Sequence, residues 1–132
     1  MMFFAACCAM TAAAAQDVGS SWRLRLMDTA RQTQAKATLQ FTGEPVRSCM
    51  RGKWQRLAVT ASEGSGPAFF PLAAPLAYKR EHGVLTMAQT DACRRIPLLS
   101  AMSSARDIHG TYRVVSAGRS KKQGLFSMVS LP

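Results

Sequence analysis

Apolar and charged residues alternate one by one over Trp22-Arg23-Leu24-Arg25-Leu26, and small or apolar residues alternate with polar ones over Lys36-Ala37-Thr38-Leu39-Gln40-Phe41-Thr42. A period of two places every other side chain on one face of an extended chain, which predicts strands buried on one side only. Residues 54–60, 76–80, 84–89, 98–102, 111–116 and 125–131 carry the same kind of pattern. Turn residues separate them. Glu81-His82-Gly83 reads as a tight hairpin turn with glycine available for positive φ. Gly118-Arg119-Ser120-Lys121-Lys122-Gln123-Gly124 reads as a basic hairpin loop. Residues 29–37 read mainly as a loop between the first two strands. Glu63-Gly64-Ser65-Gly66-Pro67 reads as a flexible loop, and Pro71 and Pro75 make 69–75 a poor central strand.

About eight short strands joined mostly by short turns predict an all-β fold: a small up-and-down antiparallel β-barrel, whose closure removes exposed sheet edges. The inward set is Trp22, Leu24, Leu26, Leu39, Phe41, Trp54, Leu57, Val59, Tyr78, Leu85, Met87, Tyr112, Val114, Phe126 and Met128. These residues fill a core or line a cavity for one small molecule, since barrels of this size do either. In the cavity reading the ligand-binding residues are Trp22, Trp54, Tyr78, Tyr112 and Phe126.

The first 15 residues are treated apart from the fold. Nothing charged precedes Asp17, and the run is apolar and ends in Ala12-Ala13-Ala14-Ala15. An apolar stretch closing on an A-x-A site predicts a signal peptide over 1–15, cleaved after Ala15 or one or two residues earlier. The segment is short and lacks a basic n-region. A buried N-terminal helix is the competing reading, and Phe4-Ala5-Ala6-Cys7 is a faint lipobox. A membrane span needs about 20 apolar residues, more than this stretch offers. Residues 16–132 then form a single β-barrel domain, periplasmic or secreted.

Cysteine usage agrees with export. Cys7 and Cys8 leave with the leader, and the pair Cys49 and Cys93 is expected to form one disulfide in an oxidising compartment. Cys49 lies just before the third strand and Cys93 after the fifth, so the bond is expected to tie two connections at one end of the barrel. Two lone cysteines and two distant histidines do not make a ligand set, so no metal and no cofactor is expected. His82 and His109 each stand beside a glycine in a turn, and no nucleophile elbow, phosphate loop or dinucleotide fingerprint is present. The expectation is a protein without catalytic residues.

Charge adds a class of partner. The chain carries 17 Lys and Arg against 7 Asp and Glu, a net charge of +10. Such a surface is drawn to lipid headgroups, lipopolysaccharide or an acidic protein. Nucleic acid is the poorest candidate for an exported chain. Arg119, Lys121 and Lys122 are the candidate contact to an anionic partner, with Arg94 and Arg95 adding to the field if they share its face.

Gly52-Lys53-Trp54 resembles the G-x-W that opens the first strand of lipocalin and avidin barrels, where the tryptophan plugs one barrel end. Thr90-Asp91 is similar to part of the lipocalin T-D-Y, with Ala92 in place of the tyrosine, and Gly110-Thr111-Tyr112 and Gly124-Leu125-Phe126 resemble closing strands. The chain departs in order, because two strands precede Gly52. Asp91-Ala92-Cys93 with the G-x-W is also similar to periplasmic inhibitors of secreted metalloproteases, which are small single-disulfide barrels. The resemblances imply two functions for a non-enzymatic exported binding protein. One is a barrel holding a small apolar or amphipathic ligand. The other is an inhibitor or immunity protein binding a partner protein through its loops.

Overall fold

The computed structural model describes residues 18–64, 69–104 and 106–132; the signal-peptide reading of 1–15 lies outside them. Eight strands follow one another: β1 Ser21–Asp28, β2 Thr33–Val46, β3 Trp54–Gly64, β4 Leu76–Glu81, β5 Val84–Gln89, β6 Arg95–Met102, β7 Asp107–Ser116 and β8 Arg119–Ser130. Each pairs antiparallel with the next, and β8 returns to β1, so the sheet closes as an up-and-down barrel. No helix occurs among the described residues.

The period-two patterns decide which side faces in. In β1 the buried positions are Trp22, Leu24 and Leu26, with Arg23 and Arg25 exposed between them. Cross-strand partners lie on the same face, so Leu26 opposite Ala35 and Phe126 carries the inner face to β2 and β8. One inner row runs through Leu85, Ala101, Gly110 and Phe126. Gly110 is required there. A Cβ at this position would stand 2.4 Å from the Ser100 carbonyl oxygen and 2.5 Å from the Phe126 ring.

Both barrel ends are closed by side chains. Trp22 fills the end where the chain enters, packed edge-on against Phe41 at 6.3 Å between ring centroids. At the other end the connection between β3 and β4 turns inward. Its Phe70 is 1% exposed and stacks edge-on against Tyr112 at 5.4 Å. The prolines that bar 69–75 from a strand leave it free to cap the barrel.

Several boundaries differ from the pattern-based expectation. β2 starts at Thr33, so 33–37 is strand, not loop. The basic stretch is not a loop either. β8 begins at Arg119, and the hairpin turns on Ala117 and Gly118, at φ 51° and 77°. Two consecutive positive φ values make the tightest strand connection. The hairpin therefore extends as a ribbon, with Gln123 bulged between Lys122 and Gly124.

A second apolar cluster sits on the outer wall. Trp54, Ala77 and Ala88 are buried there with Val46, Met50, Ile96 and Leu98 packed against them. Ala77 pairs with Arg56 and with Ala88, which fixes this row on the face opposite Tyr78 and Leu57. The segment 47–53 covers the cluster. The Trp54 indole N–H donates to the carbonyls of Met50 at 3.2 Å and Arg51 at 3.0 Å, and Lys79 Nζ donates to the Arg51 carbonyl at 2.9 Å.

Cys49 and Cys93 form a disulfide, with their Cα atoms 5.7 Å apart. The expectation that it clasps one end of the barrel is corrected. In an up-and-down barrel successive connections alternate between the two ends. The β2–β3 and β5–β6 connections, three apart in that alternation, leave at opposite ends. The bond thus pulls 47–53 along the wall as a strap.

Candidate binding surface

Four of the five residues expected to line a ligand cavity do point inward, and there they pack on one another and on their neighbours. Trp22, Tyr78, Tyr112 and Phe126 are at most 3% exposed. Tyr78 meets Phe41 edge-on at 4.7 Å, and its hydroxyl donates to the Thr42 carbonyl at 2.7 Å. Tyr112 lies edge-on to both Phe69 and Phe70, and its hydroxyl donates to the Phe69 carbonyl. Burial raises the pKa of both tyrosines above the ordinary value, with Arg80 opposing the rise at Tyr78 and Arg95 at Tyr112. These rings satisfy their polar tips within the barrel and leave the interior occupied.

Trp54 is the exception, and its expected place is corrected. It opens β3, faces outward, and lies under the strap with Lys79 Nζ 5.0 Å from its ring centroid. The G-x-W likeness therefore does not bring a tryptophan from Gly52-Lys53-Trp54 to a barrel end. Trp22 occupies one instead.

The basic residues converge. Register places Arg95 opposite Ser116, and Ser116 opposite Arg119; Arg113 stands opposite Lys122, and Val114 opposite Lys121. Arg94 precedes Arg95 in the β5–β6 connection. Six cations, Arg94, Arg95, Arg113, Arg119, Lys121 and Lys122, are thus exposed at one end of β6, β7 and β8. The ion pairs among the described residues are Arg56–Glu44 and Lys79–Glu81, both elsewhere. Arg113 is a member that pattern alone does not single out, because only the pairing with β8 sets it beside Lys122.

Arg80 belongs to the alternation of Leu76, Tyr78 and Arg80, a signal that the basic character of its side chain masks in the sequence. It shares their inner face opposite Leu85, and its guanidinium carbon lies 5.8 Å from the Tyr78 ring centroid. The histidines are apart from each other. His82 is exposed at a positive φ of 52° in the β4–β5 turn, and His109 is exposed on β7 opposite Ser127.

A broad cleft of about 610 Å³ opens in the wall where β3 and β4 part. The β3–β4 ladder holds only Gln55 with Tyr78, Arg56 with Ala77 and Leu57 with Leu76. Beyond Leu57, β3 continues to Gly64 paired to β2 alone. Val46, Arg47, Val59, Leu72 and Pro75 are among the cleft's lining.

No helix among the described residues is long and apolar enough to cross a membrane. The disulfide agrees with an oxidising compartment. In comparisons with known proteins, the chain matches no family model, no curated protein and no solved structure.

Proposed function

We propose that this chain is an exported, non-enzymatic binding protein that holds an acidic partner protein through the basic end of β6, β7 and β8. The observation that carries this reading is the register that sets Arg113 directly opposite Lys122 and brings Arg95 and Arg119 to either side of Ser116 at the same end of the barrel, with no acidic partner among the described residues. Like charges placed opposite one another destabilise a sheet. A complementary negative surface removes that cost and speeds encounter. The disulfide and the apolar start of the chain support export. Between the two functions the resemblances imply, the packed interior favours the inhibitor or immunity type over the ligand carrier, which needs an interior with room for a molecule.

The test is a photo-crosslinking residue at Lys122, with one at Thr86 on the β5 wall as control, in cells that produce the protein. The expected result is a single protein adduct from position 122, absent from position 86 and abolished by Arg119→Glu with Lys121→Glu. Adducts to lipid or lipopolysaccharide only, no adduct at all, or a protein adduct indifferent to charge reversal would overturn the reading.

A further inference from the structure

The closed barrel has one weak seam. Between β7 and β8 the ladder runs from Asp107 opposite Val129 to Ser116 opposite Arg119. Between β3 and β4 it stops after the pair Leu57 and Leu76. Along 58–64 β3 is bonded on its β2 side only, so among the described residues no strand takes the N–H and C=O groups on its other edge. From Thr60 to Gly64 every residue is exposed. At about 3.3 Å per residue the free edge is roughly 23 Å long. An open strand edge is a template for another strand.

We propose that this edge accepts an extended segment of a partner protein as an added antiparallel strand, seated in the β3–β4 cleft with an acidic residue at its C-terminal end. The walls of the cleft supply the specificity. Val46, Leu57, Val59, Leu72 and Pro75 give apolar purchase to alternate side chains of the incoming strand. Arg47 lines the cleft at the end nearer the start of β3 and has no ion pair among the described residues, whereas Arg56 is held by Glu44 at 2.6 Å. Glu63 stands near the other end of the free edge. An antiparallel segment then sets its C-terminal end at Arg47 and its N-terminal end at Glu63, so an acid at the first and a base at the second are complementary. A second copy of this chain is a poor occupant, since it brings a net charge of +10 against itself. The extra residue Thr60, bulged between the pairs Val59–Leu39 and Ala61–Thr38, twists the edge and further blunts self-pairing. This site is independent of the basic end, and its test uses none of the six cations there.

The probe is the heptapeptide Lys-Thr-Val-Thr-Val-Thr-Glu, capped at both termini, titrated into the ¹⁵N-labelled protein. In the free protein, amide exchange along 58–63 is expected to alternate between slow and fast, because only the β2-facing groups are bonded. On binding, the fast amides become slow, and shift changes concentrate on 58–64 and Arg47. Methylation of alternate peptide nitrogens removes two or three hydrogen bonds and weakens binding by about thirty-fold or more. Arg47→Glu weakens it by about threefold, as for a partly exposed pair, and a peptide whose C-terminal Glu alone is replaced by Lys recovers that loss. Uniformly slow exchange in the free protein, no binding at millimolar peptide, or equal binding of the methylated peptide overturns the proposal.

Discussion

Cys49 and Cys93 join connections that leave the barrel at opposite ends, so their bond is a strap along the wall over Trp54. It closes a loop across a sequence separation of 44 residues, which in the chain-entropy model is worth about 4 kcal/mol. Reduction, or Cys49→Ala with Cys93→Ala, is therefore expected to lower stability by about that amount while the barrel's circular dichroism persists at low temperature. In a Trp22→Phe background the emission of Trp54 should shift to the red as the strap loosens. An unchanged melting temperature with unchanged emission would show that the strap needs no disulfide to stay in place.

A second bond pins the cap. The Tyr112 hydroxyl donates to the Phe69 carbonyl, while the ring lies edge-on to Phe69 at 4.9 Å. Tyr112→Phe keeps the ring contacts and strands a carbonyl, for a cost of about 1–2 kcal/mol in urea unfolding.

The tyrosines also set an alkaline limit. Burial raises the folded-state pKa of Tyr78 and of Tyr112, so the folded chain holds these protons when the unfolded chain has begun to lose them. By linkage, this contribution is fully present below the unfolded value of about 10 and is lost as pH rises through the higher folded value. Urea midpoints should fall from about pH 9 upward, and fall less in Tyr78→Phe with Tyr112→Phe. An alkaline decline identical in that double variant would assign it to other groups.

The barrel was legible because a period of two survives wherever one face is wet. Trp22, Leu24 and Leu26 read correctly as inward beside exposed Arg23 and Arg25. What failed was whatever the period does not encode. Trp54 is as apolar as any core residue, but its shelter is a strap built from 47–53, and only the pairing of Arg56 with Ala77 shows that its face is the outer one. Phe70 follows no alternation, because it caps the barrel from a connection. Arg95 and Arg119 are far apart in sequence and are brought to either side of Ser116, a fact of register. The extent of β8 was hidden by its own charges, since a stretch that is exposed on both faces reads as loop.

Gly110 gives a sharp test of the interior packing. It lies between Ala101 and Phe126 in one inner row, and a methyl there meets the Ser100 carbonyl and the Phe126 ring. Gly110→Ala should cost about 1–3 kcal/mol by overpacking. Part of the clash is with the ring, so Gly110→Ala in a Phe126→Leu background should cost less, with a coupling of about 1 kcal/mol. Strict additivity would mean that the contacts with the Ser100 carbonyl and the Ala101 methyl account for the whole penalty.

The basic end predicts a trade between stability and binding. Arg113 and Lys122 are directly opposed across β7 and β8. Two cations so placed repel, and nothing else in the ribbon needs both. Lys122→Glu turns repulsion into attraction and should raise the urea midpoint at low salt, by on the order of a few tenths of a kcal/mol. The gain should fade as salt shortens the screening length toward about 10 Å and below. The same substitution should weaken the affinity of the purified protein for the partner that the crosslink identifies. A residue that costs the fold stability and is required for binding has a role outside the fold. If Lys122→Glu stabilises the ribbon and leaves the partner's affinity intact, the contact lies on another face of the barrel.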